Sequence, residues 1–279
     1  MKTVQKAGIA IAALTFAACA SVTAMAGDLH GYRGSVKDGP MPQYQAAGPC
    51  YVRGDVGYSG SSDPDIRWPV TSYPGGVGPA VYLGDNVSGA SLDDTWFGEI
   101  GIGCGSGSRG FRADFTLGYH GDRKITGEPQ PYTPQNGNTP YDDPLHSSLS
   151  TYTAMLNIYK DLGRWGNFVP YLGAGVGVAY HQMDEVYFTE NPNLVNRIAG
   201  NNDVAFAWSL MAGFGYQISN RAILDVGYRY LNMGKIESGR VDSAGFVNPA
   251  VKVDDIAAHE FKVGLRYHFG TSGDCCSYK

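Results

Sequence analysis

Beyond residue 26 the sequence has no uninterrupted apolar run of the about 20 residues that a membrane-crossing helix needs, which excludes a helical membrane protein. Positive charge is scarce too: 21 lysines and arginines stand against 26 aspartates and glutamates, a formal charge of −5. That deficit excludes nucleic acid as a partner, because phosphate backbones are held by basic patches. Cysteine is sparse, with five in 279 residues, and Cys50, Cys104, Cys275 and Cys276 do not have the spacing of a zinc ribbon. No motif calls for a metal or an organic cofactor. The Gly-x-Gly runs, such as Gly101-Ile102-Gly103 and Gly173-Ala174-Gly175, are not followed by a helical pattern and so fail as nucleotide loops.

The N-terminus holds the apolar run that the remainder lacks. Lys2 and Lys6 precede apolar residues from Ala7 to Val22, and Ala24-Met25-Ala26 places small residues before Gly27. This order is that of a secretory signal peptide over residues 1–26, and the run is too short to be a span. Cys19 would mark a lipoprotein site instead, but Phe16 stands where that signal carries leucine. Cleavage after Ala26 removes Lys2 and Lys6 and no acid, so the formal charge goes from −5 to −7. Residues 27–48, polar and aperiodic, read as a periplasmic leader, and residues 271–279 as a periplasmic tail.

Glycine and tyrosine are abundant, with 39 and 19 copies. They occur in segments that alternate with period two, as strand side chains do. The last is the clearest: Phe261, Val263, Leu265, Tyr267 and Phe269 fall on one side, and Glu260, Lys262, Gly264, Arg266 and His268 on the other. An apolar face ending in aromatics against a charged face predicts a strand with lipid before it and a polar lumen behind it. The same pattern recurs in Tyr51–Ser59, Thr95–Cys104, Phe111–His120, Tyr152–Leu162, Val169–His181, Val204–Tyr216 and Ala222–Leu231. The links between these segments alternate. Short ones lie around Ser106–Arg109, Gly163–Asn167 and Ser219–Arg221, and long polar ones at about Gly60–Asp94, Gly121–Ser148, Gln182–Asp203 and Gly234–Asp255.

The fold class is therefore all-β: an eight-stranded antiparallel up-and-down transmembrane β-barrel over residues 49–270, with short periplasmic turns and four long external loops. Hydrocarbon cannot hydrogen-bond an open sheet edge, so the first strand pairs with the last. An interior of this size is filled by side chains. The inward positions carry the bases Arg53, Arg112, Arg229, Lys262 and Arg266 and the acids Asp55, Glu99, Asp114, Asp225 and Glu260, which predicts a lumen salt-bridge network between the first three strands and the last two. Cys50 and Cys104 fall at the same rim of adjacent strands and are placed for a disulfide, with Cys275 and Cys276 as alternative partners. A rim metal or Asp/His protease site would draw on His120, His181 and His259, expected near the external ends of strands, on His146 in a long loop, and on Asp93, Asp94 and Asp203 at similar height, although solvated rim residues explain the set more simply.

Lys262, Gly264, Tyr267 and Phe269 match the terminal-strand insertion signal of bacterial outer-membrane barrels. Together with Gly34-Ser35-Val36-Lys37-Asp38-Gly39-Pro40, Tyr51-Val52-Arg53-Gly54-Asp55-Val56-Gly57-Tyr58, Met155-Leu156-Asn157-Ile158-Tyr159-Lys160-Asp161-Leu162-Gly163, Pro170-Tyr171-Leu172-Gly173-Ala174-Gly175-Val176-Gly177 and Asp225-Val226-Gly227-Tyr228-Arg229-Tyr230, they give a chain that resembles the OmpA-like eight-stranded porin and surface-antigen family of Gram-negative, especially alphaproteobacterial, outer membranes. The resemblance covers about residues 34–270; unlike such proteins, this chain continues past the terminal aromatic, from Gly270 to Lys279. It implies a surface barrel without enzymatic activity, whose partners are outer-membrane lipid, the barrel-insertion machinery and an external ligand or host surface met by the loops. The alternatives are a narrow porin for ions or small solutes and an enzyme at the loop rim.

Overall fold

Alternating sequence builds strands whose two faces differ, and such strands bury their polar face by closing on themselves. The computed structural model describes residues 48–68, 87–105, 110–129, 144–188, 197–243, 245, 247 and 249–269. The expected signal peptide, nearly all of the leader, the tail, Cys275 and Cys276 lie outside these residues. The strands are β1 (Cys50–Ser61), β2 (Asp65–Arg67), β3 (Val87–Leu92), β4 (Thr95–Gly105), β5 (Phe111–Pro129), β6 (Leu145–Asp161), β7 (Phe168–Met183), β8 (Tyr187–Phe188), β9 (Asn201–Gln217), β10 (Ala222–Asn232), β11 (Ile236–Glu237), β12 (Lys252–Asp254) and β13 (Ala257–Phe269). The long ones pair antiparallel in the order β1-β4-β5-β6-β7-β9-β10-β13, and β13 returns to β1 from Cys50↔Phe269 to Ser61↔Ala258. The barrel is closed.

Outward positions of the lower barrel are exposed and apolar, among them Val56, Ile100, Leu117, Leu156, Val176, Leu210, Val263 and Leu265. Aromatic rings bound this belt. At the long-loop end Tyr58 meets Trp96 at 5.4 Å, Tyr119 meets Tyr152 at 4.9 Å and Tyr228 meets Phe261 at 5.4 Å. At the short-turn end Phe168 packs on Phe214 and Tyr216, and on other strands Phe111, Tyr267 and Phe269 are exposed. Leu265 sits midway between Phe261 and Phe269. Leu265→Arg is expected to destabilise the barrel in liposomes by about 2–4 kcal/mol, and Phe269→Arg at the belt's edge by less; urea titration followed by gel mobility measures both.

Above the upper aromatics the polarity of the wall inverts. A bulge in the β5–β6 ladder between His120 and Arg123 resets the alternation. Asp122, Lys124 and Glu128 then face out, while Arg123 and Ile125 are buried. The segments Gly121–Pro129 and Leu145–Ser148, expected as parts of a polar loop, are instead extensions of β5 and β6. β3 is added on β5 and β8 on β6, so the wall continues beyond the belt. A separate small sheet, β11-β12-β2, joins the first and last long connections. Its Ile66, Ile236 and Val253 pack with Ile125, Leu145, Leu149, Met183, Leu231, Met233 and Ile256 into one buried apolar core. Water surrounds this storey, so its apolar residues turn inward as in a soluble barrel, each buried Leu or Ile contributing about 1.5–3 kcal/mol.

Candidate functional site: a sealed lumen beneath a folded cap

Inside the belt the alternation points charged side chains at one another, and none of the ten predicted lumen charges is exposed. Glu99 on β4 receives Lys262 of β13 at 2.9 Å and Arg229 of β10 at 2.6 Å. Arg229 also holds Glu260 at 2.5 Å, and Glu260 accepts from Ser59 at 3.2 Å and lies 2.7 Å from His120 Nε2. Lower down, Arg53 forks onto its own strand's Asp55, with both contacts at 2.8 Å, and reaches Asp114 of β5 at 2.8 Å. Asp114 is further held by Tyr51 at 3.1 Å and Asn157 at 2.9 Å. Arg266 pairs with Asp225 through both carboxylate oxygens.

Arg112 departs from the expected set. Its partner is Asp161 on the neighbouring β6, at 3.1 Å, and its guanidinium lies 3.9 Å from the ring centre of Tyr159 and 4.7 Å from that of Tyr171. Two glycines make room for this packing. A Cβ at Gly264 would overlap Asp55 Oδ1, and one at Gly173 would lie 2.6 Å from Tyr159 Cδ1. Gly264, read from the sequence as part of a terminal-strand signal, thus answers a demand of the lumen. Lys262 faces inward with it, whereas Tyr267 and Phe269 face outward. Cys50 stands directly opposite Cys104, with Cα atoms 3.9 Å apart, and the two are joined as a disulfide.

Residues 10–269 match the family model described as "Outer membrane protein beta-barrel domain". The chain belongs to this family. It is 33% identical to an uncharacterised protein of Brucella melitensis, over 82% of this chain and 88% of that one. It is 31% identical to the outer membrane protein PagN of Salmonella typhimurium, over 46% of this chain and 56% of that one. An adhesin candidate of Rickettsia bellii is 27% identical over 66% of this chain and 80% of its own length.

As a member of the outer-membrane barrel family the protein resides in the bacterial outer membrane. Long connections of such barrels face outward, which places the apolar storey and the small sheet on the external side. This corrects the expected placing of two of the rim histidines. His120 and His181 are not at a solvated rim; both are fully buried beneath the cap. His181 is held by Thr151 and by the Met233 carbonyl, each at 2.9 Å. His259 lies on the outer wall, 2.6 Å from the Tyr228 hydroxyl, and His146 stacks on Tyr187. Asp94 holds the Tyr58 hydroxyl and the Ser61 amide, Asp93 accepts from Ser61 through its carbonyl, and Asp203 bonds the amide of Val204. The set is dispersed among separate local contacts, and among the described residues no group of three or more His, Cys, Asp or Glu is placed to hold a metal.

Two charges of the buried network were not in the predicted set, Asp161 and Arg123. Asp161 continues the inward parity of Asn157 and Tyr159 and was legible in principle. Arg123 bonds Ser59 and Ser61 at 3.1 and 3.3 Å, and only the bulge turns it inward.

Proposed function

We propose that the protein is a non-conducting anchor that presents a folded external cap to partners at the cell surface. One observation carries this: the lumen is filled twice, by the ion-paired layer around Glu99, Arg229 and Glu260 and by the apolar core above it. Ions entering such a barrel would have to break buried pairs and then cross a dry apolar layer, and both steps are costly. A folded cap suits recognition, since strands held by a common core lose less conformational entropy on binding than free loops do. The adhesin candidate among the relatives supports the same direction, contact with an external or host surface. Tyr267 and Phe269, outward on the terminal strand, are the side chains that the insertion machinery would read together with surrounding lipid.

Planar-bilayer conductance of the refolded chain tests this, with heat-modifiable gel mobility as proof of folding. Folded protein is expected to give no regular steps. Frequent, uniform steps would establish the narrow-porin alternative and make the lumen charges its filter.

A further inference from the structure

Exposed charge on the wall is sorted by end. Among the described residues the exposed carboxylates, such as Asp94, Asp122, Glu128, Asp203 and Asp255, all stand at the long-loop end. At the short-turn end the exposed charges are Lys160, Arg164 and Arg221, while the carboxylates of that end, Asp114, Asp161 and Asp225, are buried in the lumen network. The cations also keep to one side of the barrel. Lys160 is on β6, Arg164 in the β6–β7 turn and Arg221 in the β9–β10 turn, whereas the described ends of β13, β1 and β4 carry no exposed cation.

Local structure fixes this arc. Lys160 continues the outward parity of Leu156 and Ile158 and stands opposite Phe111, its Nζ 4.3 Å from the ring centre, so the ammonium lies at the level of the lower aromatics. Arg164 donates to the Gly166 carbonyl at 2.8 Å and to Gln217 Oε1, which ties the β6–β7 turn to the end of β9. Arg221 is set by its backbone: its amide donates to Ser219 Oγ at 3.3 Å, and its carbonyl accepts from the His268 amide at 2.7 Å. The surface among these cations is apolar, with Leu162, Phe168, Tyr216 and Ile218 exposed and Trp165 exposed by 72%. Long basic side chains beside an apolar wall reach for the membrane interface, and the anion they meet there is a lipid phosphate.

We propose that this arc, from Lys160 to Arg221, selects anionic phospholipid in the leaflet at the short-turn end. Phosphate oxygens accept from the ammonium and guanidinium groups, and the adjoining methylenes rest on Trp165, Phe168 and Tyr216. A zwitterionic lipid offers the same phosphate but brings its own cation, which the arc repels, so a headgroup of net negative charge is preferred. Short turns of such barrels are periplasmic, so the leaflet is the inner one of the outer membrane. The inference goes beyond the anchor reading and does not depend on it, since it concerns the opposite end of the barrel.

The protein reports on this arc itself. Of its four tryptophans, Trp68, Trp96 and Trp208 belong to the long-loop half and Trp165 to the short-turn end. The full chain carrying Trp68→Phe, Trp96→Phe and Trp208→Phe is refolded into liposomes of phosphatidylcholine and phosphatidylglycerol, with one lipid or the other brominated to quench the remaining fluorescence. Phosphatidylglycerol is expected to bind beside Trp165 about threefold to tenfold more tightly than phosphatidylcholine. A second variant that keeps Trp208 alone should show no such preference, because the exposed carboxylates stand at its end. Lys160→Gln, Arg164→Gln and Arg221→Gln together should bring the ratio at Trp165 to about one, whereas Lys160→Arg with Arg221→Lys should preserve it; heat-modifiable mobility checks that each is folded. A ratio of one at Trp165 with all three cations present, equal ratios at Trp165 and Trp208, or a ratio that survives the three glutamines would overturn the proposal. The first two comparisons replace no cation, so they decide the matter even where the glutamine variant fails to fold.

Discussion

Glu260→Ala is expected to lower the stability of the folded barrel by about 3–5 kcal/mol, among the largest effects of any single lumen substitution. Glu260 carries Arg229 at 2.5 Å, His120 at 2.7 Å and Ser59 at 3.2 Å, and all four residues are buried. Its removal leaves the Arg229 guanidinium with Glu99 alone, while Glu99 is already engaged by Lys262. The cost comes from stranding a charge where water cannot reach it, more than from losing an attraction. A second variant separates these causes. Arg229→Met with Glu260→Leu removes both charges of the pair and should cost much less than Glu260→Ala alone. Urea midpoints in liposomes, read by gel mobility, measure both. Equal losses in the two variants would show that the network does not act as a pair-balanced unit.

Ile256→Asp is expected to release the cap while leaving the membrane barrel folded. Ile256 is fully buried in the apolar core, its amide bonds the Gly234 carbonyl and its carbonyl accepts from Met233. Loss of a large buried aliphatic side chain costs about 2–5 kcal/mol, and an unpaired carboxylate in the same place adds its desolvation. The small sheet has few strand pairings of its own, with β11 and β12 sharing two residue pairs and β12 and β2 three. It relies on that core. External protease is therefore expected to cut Ile256→Asp in the cap and spare the wild type, with heat-modifiable mobility retained by both. The ion-paired layer below still fills the lumen, so conductance should stay absent. Loss of barrel folding together with the cap would show that the two storeys are one cooperative unit.

The chain was legible wherever one local rule governed it. Period-two alternation marked the strands from Tyr51–Ser59 to Glu260–Phe269, and long and short links told the two ends apart. Reading failed at the bulge after His120. Continued parity would have turned Asp122 and Lys124 inward, whereas the structure buries Arg123 and Ile125. The rim histidines failed for a related reason. His120 and His181 do lie at the upper ends of predicted strands, but the wall rises past them under a cap that no strand pattern announces.

By itself the sequence determined the closed barrel, its lipid and lumen faces, the meeting of first and last strands and the placing of Cys50 opposite Cys104. Hydrocarbon tolerates no open edge, and alternation is written residue by residue. Tertiary structure alone decided which lumen charges pair, that Arg112 turns to Asp161, and that Ile66, Ile125, Met233 and Val253 meet in one core. Those choices depend on which side chains reach one another across a closed space, and residues so far apart in the chain carry no local signal of it.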